Sequence, residues 1–440
     1  MRIQSVVEGG ADPAWNRLPS NIVGLLPPNG WVEGYTDRLS VTAGDSIGFK
    51  INAPLGHFEL TFYRVSGIDQ YMMHMRNMVG NGQGYPSTAY KDGAGWTETF
   101  KFSVPETWQS GIYYARLYDR WYEKWEDLYR IWFVVKPALA ARKIDLGVLI
   151  STNTWHAYNE WGGNSLYTSQ GLATDYVSFE RPSYSKDQRD KGHLVEGDRF
   201  ILGWLDTQGY EYATLSDFDL HNDGIDSLTG FKSLIIDTHN EYWTEKMYNA
   251  LQQFRDQGGN LLCLGGNTGY RRVEINGTQM YRPQDPECYW HKKGRPASGL
   301  LGVQLNEVKY AAMSGFGTPM PYQVIADDHF AFAGTGLVSG EVFGQVGNNQ
   351  GGQLGGHSAA VGWETDNIDD TSLPNPNLKV LARGINSQGQ GEMVFIEPTN
   401  NSGSVFSVGS ITFGGSLVVD YALSQIVINI LNHLGHSPNT

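Results

Sequence analysis

Two kinds of apolar spacing divide the chain. Up to about residue 137 the apolar positions fall in short β-rich runs, 39–41, 46–51, 58–65, 97–104, 111–117 and 129–135, separated by Gly, Pro and Asp turns. Evenly spaced short strands of this kind predict a β-sandwich. The tract YMMHMRNMVGNGQGYP (71–86) interrupts them and reads as a loop packed on the neighbouring half. Its four methionines and His74 are also residue types that bind soft metals. After a linker over 136–143 the period changes. Residues 144–150 (IDLGVLI) form a continuous apolar run, as a buried parallel strand requires. A helix is expected over 198–206, and a strand over 210–214 leads into the polar segment SDFDLH (216–221). Residues 233–237 and 260–264 read as two more buried strands. Between them Thr244 is placed to cap a helix with Met247, Leu251 and Phe254 on one face, and Gly258-Gly259 ends it. Beyond 274 the chain is Gly-rich and irregular until VGWETDN (361–367). Strands are then expected over 378–382, 392–397 and 404–409, with a closing helix over 421–434. At 440 residues the chain is too long for one ordinary core. The pattern predicts an all-β sandwich domain over 1–140 followed by an α/β domain over 141–440.

In a β-α-β unit both strands point the same way. The turns His239-Asn240-Glu241-Tyr242-Trp243 and Gly265-Gly266-Asn267 therefore leave the sheet on one edge, beyond the carboxyl ends of the strands, where open α/β sheets bind ligands. The segment STNTWHAYNEWGGNSLY (151–167) follows the strand at 144–150 and opens on the same edge with Asn153, His156, Tyr158, Asn159 and Tyr167. Taken singly, a His or Glu at a strand end is as often a solvated loop residue, and Glu241 ahead of a helix suits the macrodipole. The pairing with a Gly-Gly-Asn turn favours a site.

Composition narrows the partners. A net charge of −14 with a pI near 5.2 argues against nucleic acid or an anionic membrane surface. No stretch approaches a membrane span, and the start MRIQSVVEGGADP lacks the basic and apolar regions of a signal peptide, so a cytoplasmic protein is expected. The two cysteines make no disulfide framework, and Cys263 lies inside an apolar strand. No P-loop, GxGxxG, HExxH or CxxC pattern is present, which leaves nucleotide and zinc readings without support. Aromatics are plentiful: Trp155, Trp161, Tyr242 and Trp243 either wall an apolar pocket or pack the two halves together.

The segments TNTWHAYNEWGG, SFERP, DFDLH, THNEYWTEKM followed by GGNLLCLGGN, and GWETD resemble the large (β) subunit family of N,N-dimethylformamidase. The resemblance runs from about residue 30 to the C terminus. It implies a β-sandwich followed by a three-layer, glutamine-amidotransferase-like (flavodoxin-like) α/β domain. It also implies a mononuclear iron, Fe(III), held by two tyrosines and a glutamate. By motif, Glu241 is the carboxylate ligand and Tyr158 one phenolate; the second is Tyr184, with Tyr167 as the alternative. His239, Asn267 and Glu364 are then the catalytic groups. Phenolate and carboxylate are hard anionic donors that suit a trivalent ion, and a metal-activated water explains hydrolysis without a nucleophilic Ser or Cys. The expected substrate is a small linear amide. A homo-oligomer or a separate small partner subunit is compatible with the sequence. In the HxE motif Asn240 stands where other members often carry Asp or Pro.

Two other classes stay open at this level. One is a non-catalytic carbohydrate- or protein-binding protein on the same fold. The other is an amidotransferase-like enzyme using Cys263, against which LLCLGG lacks the Gly two residues ahead that a sharp nucleophile elbow requires.

Overall fold

The structure is a computed structural model and describes residues 32–118, 129–138, 143–167, 174–183, 194–306, 319–347, 359–368, 375–385 and 391–439. Eight strands come first: β1 (Glu33–Thr36), β2 (Ser40–Thr42), β3 (Ser46–Asn52), β4 (His57–Arg64), β5 (Gln70–Val79), β6 (Phe100–Ser103), β7 (Gly111–Tyr118) and β8 (Tyr129–Lys136). They form two sheets, ordered β1-β3-β6 and β2-β8-β7-β4-β5. Successive side chains of a strand face opposite ways. Ile47, Phe49 and Ile51 of β3, Phe58, Leu60 and Phe62 of β4, and Ile131, Phe133 and Val135 of β8 accordingly meet in one core. Phe49 stacks on Phe100 at 4.9 Å and Phe62 on Phe102 at 4.3 Å. Each buried ring contributes roughly 1.5–3 kcal/mol.

The 71–86 tract departs from expectation. Gln70–Val79 is a ten-residue strand at the edge of the five-stranded sheet, and Met72, Met73, Met75 and Met78 pack on the sandwich core. His74 is spent between Thr61 Oγ1 (2.7 Å) and Glu59 Oε2 (3.0 Å).

The second half runs β9 (Leu146–Ile150), α1 (Thr152–Ala157), β10 (Tyr176–Ser178), α2 (Val195–Gln208), β11 (Ala213–Ser216), α3 (Asp217–Asp223), β12 (Ser233–Ile236), β13 (Tyr242–Trp243), α4 (Glu245–Asp256) and β14 (Asn260–Cys263). A long excursion follows through β15 (Arg271–Arg272), β16 (Glu274–Asn276), β17 (Gln279–Tyr281), β18 (Gln304–Leu305), β19 (Tyr322–Val324), β20 (Val342–Phe343), β21 (Asp366–Asn367), β22 (Leu378–Gly384) and β23 (Glu392–Ile396). The chain returns through β24 (Val405–Ser407) to α5 (Tyr421–His433). Thr244 caps α4 as expected, accepting from the Met247 N–H at 3.3 Å. The polar 216–221 segment, in contrast, opens helix α3 through a Ser216–Asp219 capping box, and the strand ahead of it starts at Ala213 rather than Tyr210.

Nine strands form one sheet, ordered β11-β9-β12-β14-β24-β23-β22-β19-β20. The first five are parallel and the rest join antiparallel. Numbered among themselves, the parallel five lie in the order 2-1-3-4-5, that of doubly wound flavodoxin-like sheets. The order reverses between β9 and β12, and that switch point is where such sheets open a crevice.

The two halves share a core. Ile112, Tyr114, Trp132 and Val134, on the face of β7 and β8 turned from the sandwich interior, belong to the same cluster as Val148, Leu202, Trp204 and Leu205. Polar pins surround this seam. Arg64 bonds Asp206 (2.9 Å) and Tyr212 (2.8 Å), Ser110 Oγ accepts from Thr214 N (2.7 Å), and Ser40 and Lys136 both reach Asp219. Among the described residues no helix is long and apolar enough to cross a membrane.

Candidate active site

The carboxyl ends of β9, β12 and β14 each lead into one polar turn, and the segment around Glu364 closes over them. These turns touch so closely that side chains are excluded. A Cβ on Gly265 would lie 2.0 Å from the Thr238 carbonyl oxygen, and one on Gly266 2.4 Å from that of Glu364. Asn267, Trp363 and Glu364 hold left-handed backbone, with φ of 53°, 48° and 49°. Conformations of that kind cost of order 1–3 kcal/mol each and collect at ligand sites. Asp366 steadies the strained turn by accepting from Asn267 N at 2.9 Å.

Asp217 ties the β9 and β12 turns together. Its carboxylate accepts from Asn153 N (3.0 Å) and from Asn240 Nδ2 (2.9 Å). Burial pushes its pKa up to about 7 against the pull of those bonds. The Asn240 carbonyl accepts the Trp243 indole N–H. An Asp at 240 would set a second carboxylate against Asp217; the amide donates instead, which accounts for Asn in this motif. Asn153 Nδ2 donates to Tyr242 O (3.0 Å), and Thr154 Oγ1 accepts from Glu241 N (3.2 Å). Helix α1 thus clamps the HNEYW turn from below.

Glu241, 1% exposed, lies at the centre. The Tyr167 hydroxyl donates to its two carboxylate oxygens at 2.8 and 3.0 Å, and the Tyr158 hydroxyl lies 3.5 Å from Oε2. The two phenol rings stack, centroids 4.2 Å apart. Burial, then Glu364 and Glu241, raise the Tyr158 pKa well above its usual value; burial and Glu241 do the same for Tyr167. On the other side His239 Nε2 is 2.9 Å from Glu364 Oε2 and 3.4 Å from Glu241 Oε2. Burial opposes a charge on His239, but Glu364 and Glu241 outweigh it and carry the imidazole up to about 10. Burial alone would raise Glu364, but the His239 charge holds it below the usual glutamate range. Asn267 Nδ2 donates to Glu364 Oε2 at 3.1 Å. Glu364 is the more open carboxylate, its side chain 13% exposed against 1% for Glu241.

A family profile described as N,N-dimethylformamidase beta subunit-like, C-terminal, matches residues 62–425, most of the chain. The chain belongs to this family. It is similar to the N,N-dimethylformamidase beta subunit of Alcaligenes sp, 24% identical over 427 residues covering 78% of this chain and 54% of that protein. It is also similar to the N,N-dimethylformamidase beta subunit of Paracoccus aminophilus, 23% identical over 426 residues, with 77% and 54% covered. The chain spans about half the length of these curated relatives.

Within this dimethylformamidase-like chain, Tyr158, His239, Glu241, Asn267 and Glu364 come together around one point, and Tyr167 joins them. Tyr184 lies outside the described residues. Two donor sets share Glu241: the oxygens of Tyr158, Tyr167 and Glu241, and the set His239, Glu241 and Glu364, whose ligand atoms lie within 4.8 Å of one another. In the second set His239 Nε2 is already engaged by both carboxylates, 2.9 Å from Glu364 Oε2 and 3.4 Å from Glu241 Oε2. The two phenols with Glu241 form a hard, all-oxygen set that fits a trivalent iron.

The four aromatics expected near the site divide otherwise. Trp155 donates to Asp198, Trp243 is fully buried on Asn240, and Trp161 packs tilted against Tyr85 and edge-on to Trp96 of the β-rich half. Tyr242 alone of the four sits edge-on to Tyr167, at 6.4 Å. Cys263 is fully buried, bonded to Thr268 Oγ1, with burial pushing its thiol up to about 12, which disfavours a nucleophilic role.

One neighbour of the site has no signal in the sequence. Arg271 Nε lies 3.5 Å from Glu241 Oε1, and its guanidinium sits 4.2 Å over the Tyr289 ring. It arrives there through the two-residue β13–β15 ladder, in which Tyr242 pairs with Arg271.

Proposed function

We propose that this chain hydrolyses a C–N bond in a small linear amide, such as an N-substituted formamide, at a mononuclear Fe(III) held by Glu241, Tyr158 and Tyr167. The observation that carries this reading is the convergence of two phenol hydroxyls, from buried Tyr158 and half-buried Tyr167, on one buried carboxylate, beside a His–Glu–Asn trio. When bound, such an ion polarises the amide carbonyl and lowers the pKa of a coordinated water. Tyr158, Tyr167 and Glu241 would supply three negative charges to match the ion, the two phenol protons being released to solvent on binding. Glu364, the more open of the two carboxylates, accepts the proton of the attacking water. His239 holds a proton at Nε2 against Glu364 and returns one to the departing amine. Asn267 uses one amide N–H to orient Glu364 and has a second for the developing oxyanion. On this reading the α/β half is glutamine-amidotransferase-like in fold and uses metal-activated water where such folds use cysteine. The relatives are called beta subunits, and by extension this chain works with a partner subunit.

The test is metal analysis of the purified protein with an assay on N,N-dimethylformamide, simple acetamides and ureas. Iron near one atom per chain, a phenolate-to-iron charge-transfer colour, and amine release are expected. A colourless protein with less than about a tenth of an iron per chain after growth in iron-rich medium overturns the proposal.

A further inference from the structure

Arg181 of the SFERP segment is 0% exposed, yet all of its recorded side-chain bonds go to main-chain carbonyls. Nε donates to Ser178 O (3.0 Å), Nη1 to Trp161 O (2.6 Å) and Asn164 O (3.1 Å), and Nη2 to His156 O (3.2 Å). Among the described residues no carboxylate bonds it. Burial accordingly depresses its pKa to about 9. Taking a cation out of water costs several kcal/mol unless its bonds and surroundings compensate. A structure that bears this cost with four carbonyls and, among the described residues, no acid is using the shape of the guanidinium, a planar fork of five N–H groups.

The four carbonyls show what the fork holds. His156 is the penultimate residue of the short helix α1, two residues before Tyr158. Trp161 and Asn164 lie on the loop between Tyr158 and Tyr167. Ser178 belongs to β10, on the strand pair that backs this loop. The loop has no ladder of its own and turns through Gly162 and Gly163 in left-handed conformation, with φ of 84° and 101°. Asn159 extends the clamp: its Nδ2 donates to Pro182 O at 2.9 Å and its Oδ1 accepts from Trp161 N at 3.0 Å. The two phenols that reach Glu241 thus hang from one loop, and one side chain bonds that loop just ahead of Tyr158 and at Trp161 and Asn164. The side-chain bonds of Arg181 to this region all go to backbone carbonyls. Its influence there is geometric.

We propose that Arg181 is the positioning residue that sets Tyr158 and Tyr167 against Glu241. This rests on the iron reading above only in its metal readout, so the experiment has two arms. Hydrogen exchange of the metal-free protein is compared for wild type, Arg181→Ala and Arg181→Lys. Lysine keeps the charge and much of the volume but cannot span four carbonyls. If Arg181→Ala does not accumulate as folded protein, Arg181→Lys carries the test. Peptides covering 156–167 should exchange at least about tenfold faster in the variants, while peptides covering 233–263 keep wild-type rates. Wild-type exchange in 156–167, or equal acceleration in both regions, overturns the proposal. In the second arm iron affinity is measured by chelator competition on folded protein, with the charge-transfer band per bound iron. A drop in affinity of roughly ten- to a hundredfold and a shifted band are expected; unchanged affinity and band in Arg181→Lys overturn the proposal. Should the wild type bind no iron, the iron reading fails by itself and the exchange arm still decides the role of Arg181.

Discussion

Strand β12 carries a histidine cluster at each end, and only one of them has the makings of a site. At its carboxyl end His239 sits between Glu364 and Glu241. At its amino end His436 Nε2 lies 2.8 Å from Ser233 Oγ, and His436 Nδ1 3.2 Å from Asp145 Oδ1. In residue types and distances the second cluster is the better match to a Ser–His–Asp hydrolase. Its surroundings decide otherwise. Ser233 is wholly buried, and Asn260 Nδ2 also donates to its Oγ at 3.2 Å. Asp145 is already neutralised by Lys232 at 2.6 Å. Burial, countered by Asp145 and aided by Lys232, keeps His436 below its usual pKa, whereas His239 is carried up to about 10. The amino-end cluster pins the segment after α5 to the sheet. What distinguishes the other end is its place at the topological switch point, its left-handed backbone, and one carboxylate left partly open.

The comparison can be broken most directly at the carboxyl end. Tyr158→Phe and Glu241→Gln should each take turnover to background and iron below about a tenth of an atom per chain. For Tyr158→Phe the melting temperature should hardly move, since the ring packing remains. Retained iron and colour in both variants would remove the phenolate–carboxylate set. His239→Ala should lower turnover by roughly 10²–10⁴-fold while iron stays bound. Loss of iron along with turnover would transfer the metal to the His239, Glu241 and Glu364 set.

Smaller effects sharpen the contrast. Asp217→Ala leaves the Asn153 and Asn240 donors buried and unpaired, at about 1–3 kcal/mol each, read by denaturant titration. At the amino end His436→Ala should cost about 1–2 kcal/mol of stability and leave turnover per folded molecule unchanged. A lowered turnover would make that cluster part of the function. The smallest effect is in pH. The folded state depresses the His436 pKa, so the unfolded chain binds the proton first, and this stabilisation is fully present only above the ordinary histidine pKa of about 6.5. Between pH 7 and 5 the wild type should therefore lose more melting temperature than His436→Gln. Parallel curves for the two would refute that sign.

Much of this was legible in the sequence because it follows from local periodicity. The apolar run, capped helix and second run around 233–264 place His239, Glu241 and Asn267 on one edge without any knowledge of the rest. Helix α1 was missed because six buried residues with Thr and Asn among them carry no 3.6-residue apolar stripe. Strand β5 was read as a loop because its methionines are weak strand formers and an edge strand needs only one packed face. The structural roles of Asp217, Arg271 and Arg181 were not legible, for a shared reason. Their partners are backbone groups or residues brought near only when separate turns meet, and such contacts leave no spacing to read. In the sequence Tyr167 and Tyr184 both follow loops of undetermined path, and only Tyr167 is among the described residues.

The seam between the halves has a consequence for how the molecule is made. The face of β7 and β8 that bears Ile112, Tyr114, Trp132 and Val134 is complete once Lys136 has been synthesised, but its cover arrives only with Val195–Gln208 and Ala213–Ser216. At roughly 5–20 residues per second, a nascent chain carries that uncovered aromatic face outside the ribosome for on the order of ten seconds. Holdase chaperones would find a ready client in that interval. Cutting the gene near residue 140 would make the interval permanent: the β-rich fragment would aggregate through the surface that the intact protein hides.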